Sequence, residues 1–185
     1  MKLLTIVLLL VLFILVDGNR RIGHPANNAQ TQTTVGSDRK DLQSNSLCAK
    51  DEQNVFSCVL KRSPKIVSLC AAQTLGSDRG YLQYRFGLPG KLELEYPKLR
   101  EGTQQLFRYM HYFRAQVDMT EITFNVDGNE YSVFDDYNGE EIPKISQHGV
   151  TVKARGSSKQ VTLLCSGKKK INLSILQSVL PIDDR

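Results

Sequence analysis

A chain of 185 residues with 24 Lys plus Arg against 19 Asp plus Glu, no Trp and 41% apolar residues has the make-up of an ordinary globular protein. Collagen-like, wholly disordered and multi-span membrane chains are excluded on that ground, and the length suits one domain with a sizeable core. The net charge of +5 is a solubility charge that also gives weak attraction to polyanions or to an acidic partner.

Met1 and Lys2 precede a nearly all-apolar run from Leu3 to Val16, which Asp17, Asn19, Arg20 and Arg21 cut off. A cationic start and so short an apolar stretch have the pattern of a secretory signal, whereas a membrane span needs about twenty apolar residues. Small residues at Val16 and Gly18 suit a signal peptidase and predict a signal peptide over residues 1–18. Arg20 and Arg21 run against the usual charge bias, so a retained anchor stays open, and that segment would be the chain's one attachment to a membrane. Residues 19–46 are rich in Asn, Gln, Ser and Thr with no apolar period, which predicts a disordered polar tether. The folded domain is then expected over residues 47–185.

Cys48, Cys58, Cys70 and Cys165 form an even set behind an export signal, which predicts two disulfides and a periplasmic or secreted location. None of them stands in a close C-x-x-C pair of the kind a structural zinc site uses. The pairing stays open; a bridge to Cys165 would constrain the unfolded chain most.

From Leu47 onward, short runs rich in Val, Ile, Tyr, Phe and Leu recur at intervals of roughly ten residues, the signature of an all-β sandwich or barrel. The runs are VFSCVL, KIVSLC, GYLQYRFG, LELEYP, FRYMHYF, EITFNV, NEYSVFDDY, GVTVKA and QVTLLCSG. Turn residues separate them: Lys61 to Pro64, Asp127 with Gly128, and Gly156 with Ser157 and Ser158. Ile122, Phe124 and Val126 alternate with Glu121, Thr123 and Asn125, as in a strand with one wet face. Leu99 to Ala115 is ambiguous, because Leu106, Tyr109, Met110 and Phe113 also fit a helical stripe. The expected fold is an antiparallel meander of about eight strands, closed by a short C-terminal helix over Asn172 to Leu180.

The chain holds three histidines, His24, His111 and His148, and no HExxH, GxSxG or CxxC. No catalytic residue, metal or cofactor is therefore expected. Asp135, Asp136, Glu140 and Glu141 form the densest carboxylate cluster, without the ligand order of a calcium loop. A pair of carboxylates flanking a sugar is the chemistry of glycoside hydrolysis, so an envelope enzyme or glycan-binding domain is the alternative reading of this cluster. Lys168 to Lys170 follows the last apolar run and reads as a charged exit that discourages edge pairing. Basic residues are not interleaved with aromatics on one face, so nucleic acid is not an expected partner.

GSDRGYLQYRFGLPG, from Gly76 to Gly90, places Ser77, Asp78 and Arg79 in a tight polar loop. It then loads a strand with Tyr81, Tyr84 and Arg85. Rigid aromatics beside arginine are what binding hot spots use, and also what a half-buried strand uses.

FSCVLKRSPKIVSLC, GYLQYRFGLPGKLELEYP, VTLLCSG and the closing LPIDD together resemble a group of small exported bacterial proteins without an established activity. The looser loop Ser77 to Tyr81 is similar to that of periplasmic lysozyme inhibitors, disulfide-containing β domains that insert a Ser-containing loop into the enzyme's acidic cleft. Their Ser-Gly-x-x-Tyr loop is altered here, since Asp78 follows Ser77. The resemblance implies an exported, non-enzymatic binding protein whose partner is another protein, such as a cell-wall hydrolase, or an immunity factor against one. Arg79 would then reach the target's carboxylates. A purely structural envelope component is the remaining alternative.

Overall fold

The computed structural model describes residues 45–184; the expected signal peptide and the expected tether as far as residue 44 lie outside the described residues. The strands are β1 Glu52–Leu60, β2 Ile66–Ala72, β3 Leu82–Leu88, β4 Lys91–Tyr96, β5 Phe107–Arg114, β6 Val117–Val126, β7 Asn129–Asn138, β8 Ile145–Lys153 and β9 Gln160–Ile171. All pair antiparallel in one sheet of order β4-β3-β2-β1-β9-β8-β7-β6-β5. Two meanders, β1 to β4 and β5 to β9, are thus joined side by side through β1 and β9.

The sheet curls into a half-barrel. Tyr96 at the end of β4 comes within 6.1 Å of Phe107 and 5.5 Å of Phe124, ring centre to ring centre, so the two outer thirds of the sheet face each other across a shared core. Inward residues at alternate positions fill it: Cys58, Leu60, Val67, Leu69, Leu82, Tyr84, Phe107, Tyr109, Ile122, Phe124, Val133 and Val150. This is the two-residue period of strands expressed as burial.

The ambiguous segment, Leu99 to Ala115, supplies β5. Its helical stripe gives way to a single 3₁₀ turn, Thr103–Leu106, followed by β5. Phe107 and Tyr109 are buried while Arg108 between them is exposed, because a ladder with β6 satisfies the backbone and a period of two then places both rings in the core. At the C-terminus the expected helix is reduced to the 3₁₀ turn Leu173–Leu176. Leu173, Leu176 and Leu180 do pack into the core. The chain then runs beside β5: the Tyr109 N–H donates to Pro181 O at 2.9 Å, and the Asp183 N–H to Tyr109 O at 2.8 Å. That strap covers an otherwise open sheet edge.

Asp127 and Gly128 form the two-residue turn between β6 and β7, with φ of 51° and 82°, the left-handed pair that a type I′ hairpin requires. Two disulfides close, Cys48–Cys70 and Cys58–Cys165, spanning 22 and 107 residues. The second ties β1 to β9, and hence one meander to the other. Bridges of this kind persist in an oxidising environment. No helix among the described residues is long and apolar enough to cross a membrane.

One reading is corrected. Lys168 to Lys170 does not follow the last strand but lies within β9, where Lys169 and Lys170 pair with Cys58 and Ser57 of β1 and the ladder with β8 has already ended.

Candidate functional site

The loop between β2 and β3 carries Ser77, Asp78 and Arg79 in full exposure, on a base held from several sides. Its first turn is closed by the Gly76 N–H donating to Arg79 O at 3.0 Å. Gly80 sits at φ +73°, and a Cβ there would lie 3.0 Å from the Leu75 Cα, so only glycine lets the chain return so close to its own outgoing limb. Beneath the loop, the amide of Gln104, 2% exposed, donates from Nε2 to Gly76 O at 2.8 Å and to Arg79 O at 2.6 Å. Thr103, its neighbour, accepts the Leu82 N–H at 2.7 Å and donates to Leu82 O at 2.9 Å. The 3₁₀ turn is therefore stitched to both the loop and β3. Buried amide bonds of this kind are expensive to leave unmade, which is what makes the loop base rigid.

Tyr81, Tyr84 and Arg85 have different surroundings. The Tyr81 hydroxyl donates to Glu52 Oε1 at 2.8 Å, and the Arg100 guanidinium lies over its ring at 5.0 Å. Tyr84 is 1% exposed and packs against Phe124 and Tyr131 inside the half-barrel; burial pushes its hydroxyl well above the usual phenol range. Arg85 lies on the outer face and uses all five N–H donors internally. Nη1 donates to Glu52 Oε2 at 2.6 Å and Leu47 O at 2.9 Å; Nη2 donates to Glu52 Oε1 at 2.7 Å and Gln83 Oε1 at 2.6 Å; Nε donates to Glu95 at 3.1 Å. A guanidinium so engaged has nothing left for a partner. Tyr84 and Arg85 are thus enclosed, whereas Ser77, Asp78 and Arg79 remain open and Tyr81 is half-buried.

Glu52 is the counter-charge of this network, its side chain fully buried. Burial alone would raise its carboxyl, but the Arg85 fork, the Ala49 N–H and the Tyr81 hydroxyl outweigh that and hold it at about 2. Cys48, Glu52 and Cys70 stand close enough together to hold an ion. The sulfurs are joined to each other and the carboxylate is committed to Arg85, so the donor set does not suit a metal.

The acidic cluster does not converge. Asp135 faces inward on β7 and accepts from His148 Nδ1 at 2.6 Å. Asp136, the next residue, points to the other side of the sheet. There its Oδ1 is buried without a hydrogen bond, and burial followed by the nearby Glu121 and Asp135 charges raises it to about 6. Glu140 pairs with Arg114, and Glu141 is exposed in the loop to β8. No two of these four carboxylates face each other across a cleft.

The residues alone assign no site role to Gln104 or to His148. Gln104 carries no local signal, because its work is done on carbonyls 24 to 28 residues away. His148 is reached from both sides, by Asp135 on Nδ1 and by the Lys169 ammonium on Nε2. With the Nδ1 N–H donating to the Asp135 carboxylate, Nε2 is left as an acceptor for the Lys169 ammonium. The resulting chain has the order of a hydrolase triad with an ammonium where a nucleophilic hydroxyl would stand.

No family model, curated protein or solved structure matches this chain.

Proposed function

We propose that this is an exported, non-enzymatic binding domain that presents the Ser77 to Tyr81 loop to a protein partner with an acidic cleft, such as a peptidoglycan-degrading enzyme, and blocks it. The observation that carries the reading is the pairing of an exposed Arg79, which has no ion pair or side-chain hydrogen bond among the described residues, with a loop base locked by the buried Gln104 amide. A preordered loop loses little entropy on docking, and a guanidinium delivered to desolvated carboxylates forms strong charge-assisted hydrogen bonds. The two disulfides favour the same setting, since they suit a periplasmic or secreted protein. Separation of Asp135, Asp136, Glu140 and Glu141 onto different surfaces weighs against the glycosidase alternative, which needs two carboxyls about 5 to 9.5 Å apart across a sugar.

The test is inhibition of purified lysozymes and other peptidoglycan hydrolases by the oxidised domain. Inhibition that falls at least tenfold in Arg79→Ala, with the variant's unfolding midpoint unchanged, is the expected result. Absence of inhibition against every hydrolase class, or equal potency of the variant, overturns the reading.

A further inference from the structure

β8 and β9 part company halfway along. Their ladder runs from Lys153↔Gln160 to Gly149↔Leu164 and stops there. At Gly149 the strands are so close that a Cβ would lie 2.2 Å from Leu163 O, and beyond it they open. β9 changes partner at this point: Leu164 is its last residue paired with β8, and Cys165, opposite Leu60, its first paired with β1. Beyond the switch Gly167 takes φ +64° and the pairing with β1 jumps from Val59↔Ser166 to Cys58↔Lys169, so Gly167 and Lys168 bulge out of the ladder.

The opening is a cavity of about 290 Å³ whose lining includes Lys61, Ser146, His148, Ser166 and Lys169. Lys61 is brought there by the β1–β2 turn, pinned by its own N–H donating to Leu164 O at 2.7 Å. His148, 9% exposed, forms the floor, and Lys169 reaches across to its Nε2. Neither lysine has a carboxylate partner among the described residues. The nearest negative group, Asp135, is turned to the far side of the imidazole. Lys168 to Lys170 are exposed on the half of β9 that pairs with β1 alone.

We propose that this notch is a binding site for a phosphate group, held by the Lys61 and Lys169 ammonium groups with the Ser146 hydroxyl beside them. Two compact point charges on flexible stems match a doubly charged tetrahedral oxyanion, whereas a planar carboxylate is better met by the fork of an arginine. The Lys169 ammonium keeps further donors after the one given to His148, which positions it over the floor of the cavity. Free phosphate, a phosphomonoester or a phosphodiester of an envelope polymer would supply the same chemistry. The site is separate from the Ser77 to Tyr81 loop and does not depend on the role given to Arg79.

The experiment is calorimetric titration of the oxidised domain with inorganic phosphate, glycerol phosphate and glycerophosphocholine, at ionic strength held constant with sodium chloride. Saturable one-to-one binding of inorganic phosphate, weakened at least tenfold in Lys169→Gln and in Lys61→Gln and unchanged in Lys98→Gln, is the expected result. Lys61 stands on an exposed turn, so its variant keeps the test valid if Lys169→Gln alters the fold. Preference for glycerol phosphate assigns a monoester ligand, and equal binding of glycerophosphocholine assigns a diester. Heats no different from added chloride, or an equal loss in Lys98→Gln, overturn the site.

Discussion

The two meanders are built on opposite rules. In β1, β2 and β3 most residues are buried and none is exposed, polar ones included: Glu52, Ser57, Ser68, Gln83 and Arg85 are all under 9% exposed. Residues 46–49 cause this by crossing the outer face, where Cys48 bonds Cys70, the Leu47 N–H donates to Ser68 Oγ at 3.0 Å, and the Ser57 hydroxyl meets that of Ser46 at 3.0 Å. In β8 and β9 the outer face is wet, and Thr162 on it is exposed beside Thr151. A sheet covered on both sides must satisfy each polar group from within, so its charges come as a closed network; a sheet open to water on one side leaves its charges free to meet something else. Lys170 of β9 and Arg85 of β3 illustrate the two outcomes.

The bridge between the meanders offers the severest way to break this contrast. Loss of Cys58–Cys165 through paired serine substitutions releases a loop of 107 residues and is expected to cost about 5 kcal/mol, against about 3.5 kcal/mol for the shorter loop of Cys48–Cys70, on chain entropy alone. Urea unfolding of the two double variants measures the order; the reverse ranking would mean that the cover over the first meander matters more than the joint between the two.

Within the covered half, Glu52→Ala strands the Arg85 guanidinium and is expected to destabilise by about 3 to 5 kcal/mol. Thr162→Val on the wet face should change stability by no more than about 0.5 kcal/mol. The Glu52 carboxyl is held below its unfolded value of 4.5, at about 2. Its contribution is complete above pH 4.5 and is lost as pH falls through about 2. Acid titration of the unfolding free energy should therefore separate wild type from Glu52→Gln at neutral pH and bring them together near pH 2.

Gln104→Ala removes the amide under the loop and is expected to cost about 1 to 3 kcal/mol through the carbonyls left unpaired. Amide exchange should rise at Gly76 and Gly80 ahead of the β-strands; uniform exchange across the domain would show that the loop base is not separately held.

Asp136→Asn carries a small effect of the opposite sign. Its carboxyl is raised from 3.8 to about 6, so the stability it allows is full below pH 3.8 and falls as pH rises through 6. The asparagine variant should be more stable than wild type by about 1 kcal/mol at pH 7, a figure discounted for partial exposure. The gain should vanish below pH 4, and thermal unfolding at the two pH values reads the difference.

Legibility in the chain followed the same division between the halves. Where one face is wet, alternation was plain: Ile122 and Phe124 are buried and Asn125 exposed, and the Asp127–Gly128 turn falls where the residues demand. Where both faces are covered, Tyr84 and Arg85 read equally as surface and as core, because period-two patterning loses its contrast once water is excluded from both sides. The candidate loop was legible as a loop through Gly76 and Gly80. Its rigidity was not, since Gln104 is distant in sequence.

Four cysteines, recurring apolar runs and turn residues were enough by themselves to dictate an all-β, disulfide-bonded domain, because side-chain period, turn conformation and thiol count are local properties. The partners of Cys165, the closing of Arg85 within a buried network and the separation of β8 from β9 around His148 and Lys169 were decided only by the tertiary structure. Each depends on which strands become neighbours, and strand adjacency is settled by burial of the whole sheet rather than by any short stretch of it.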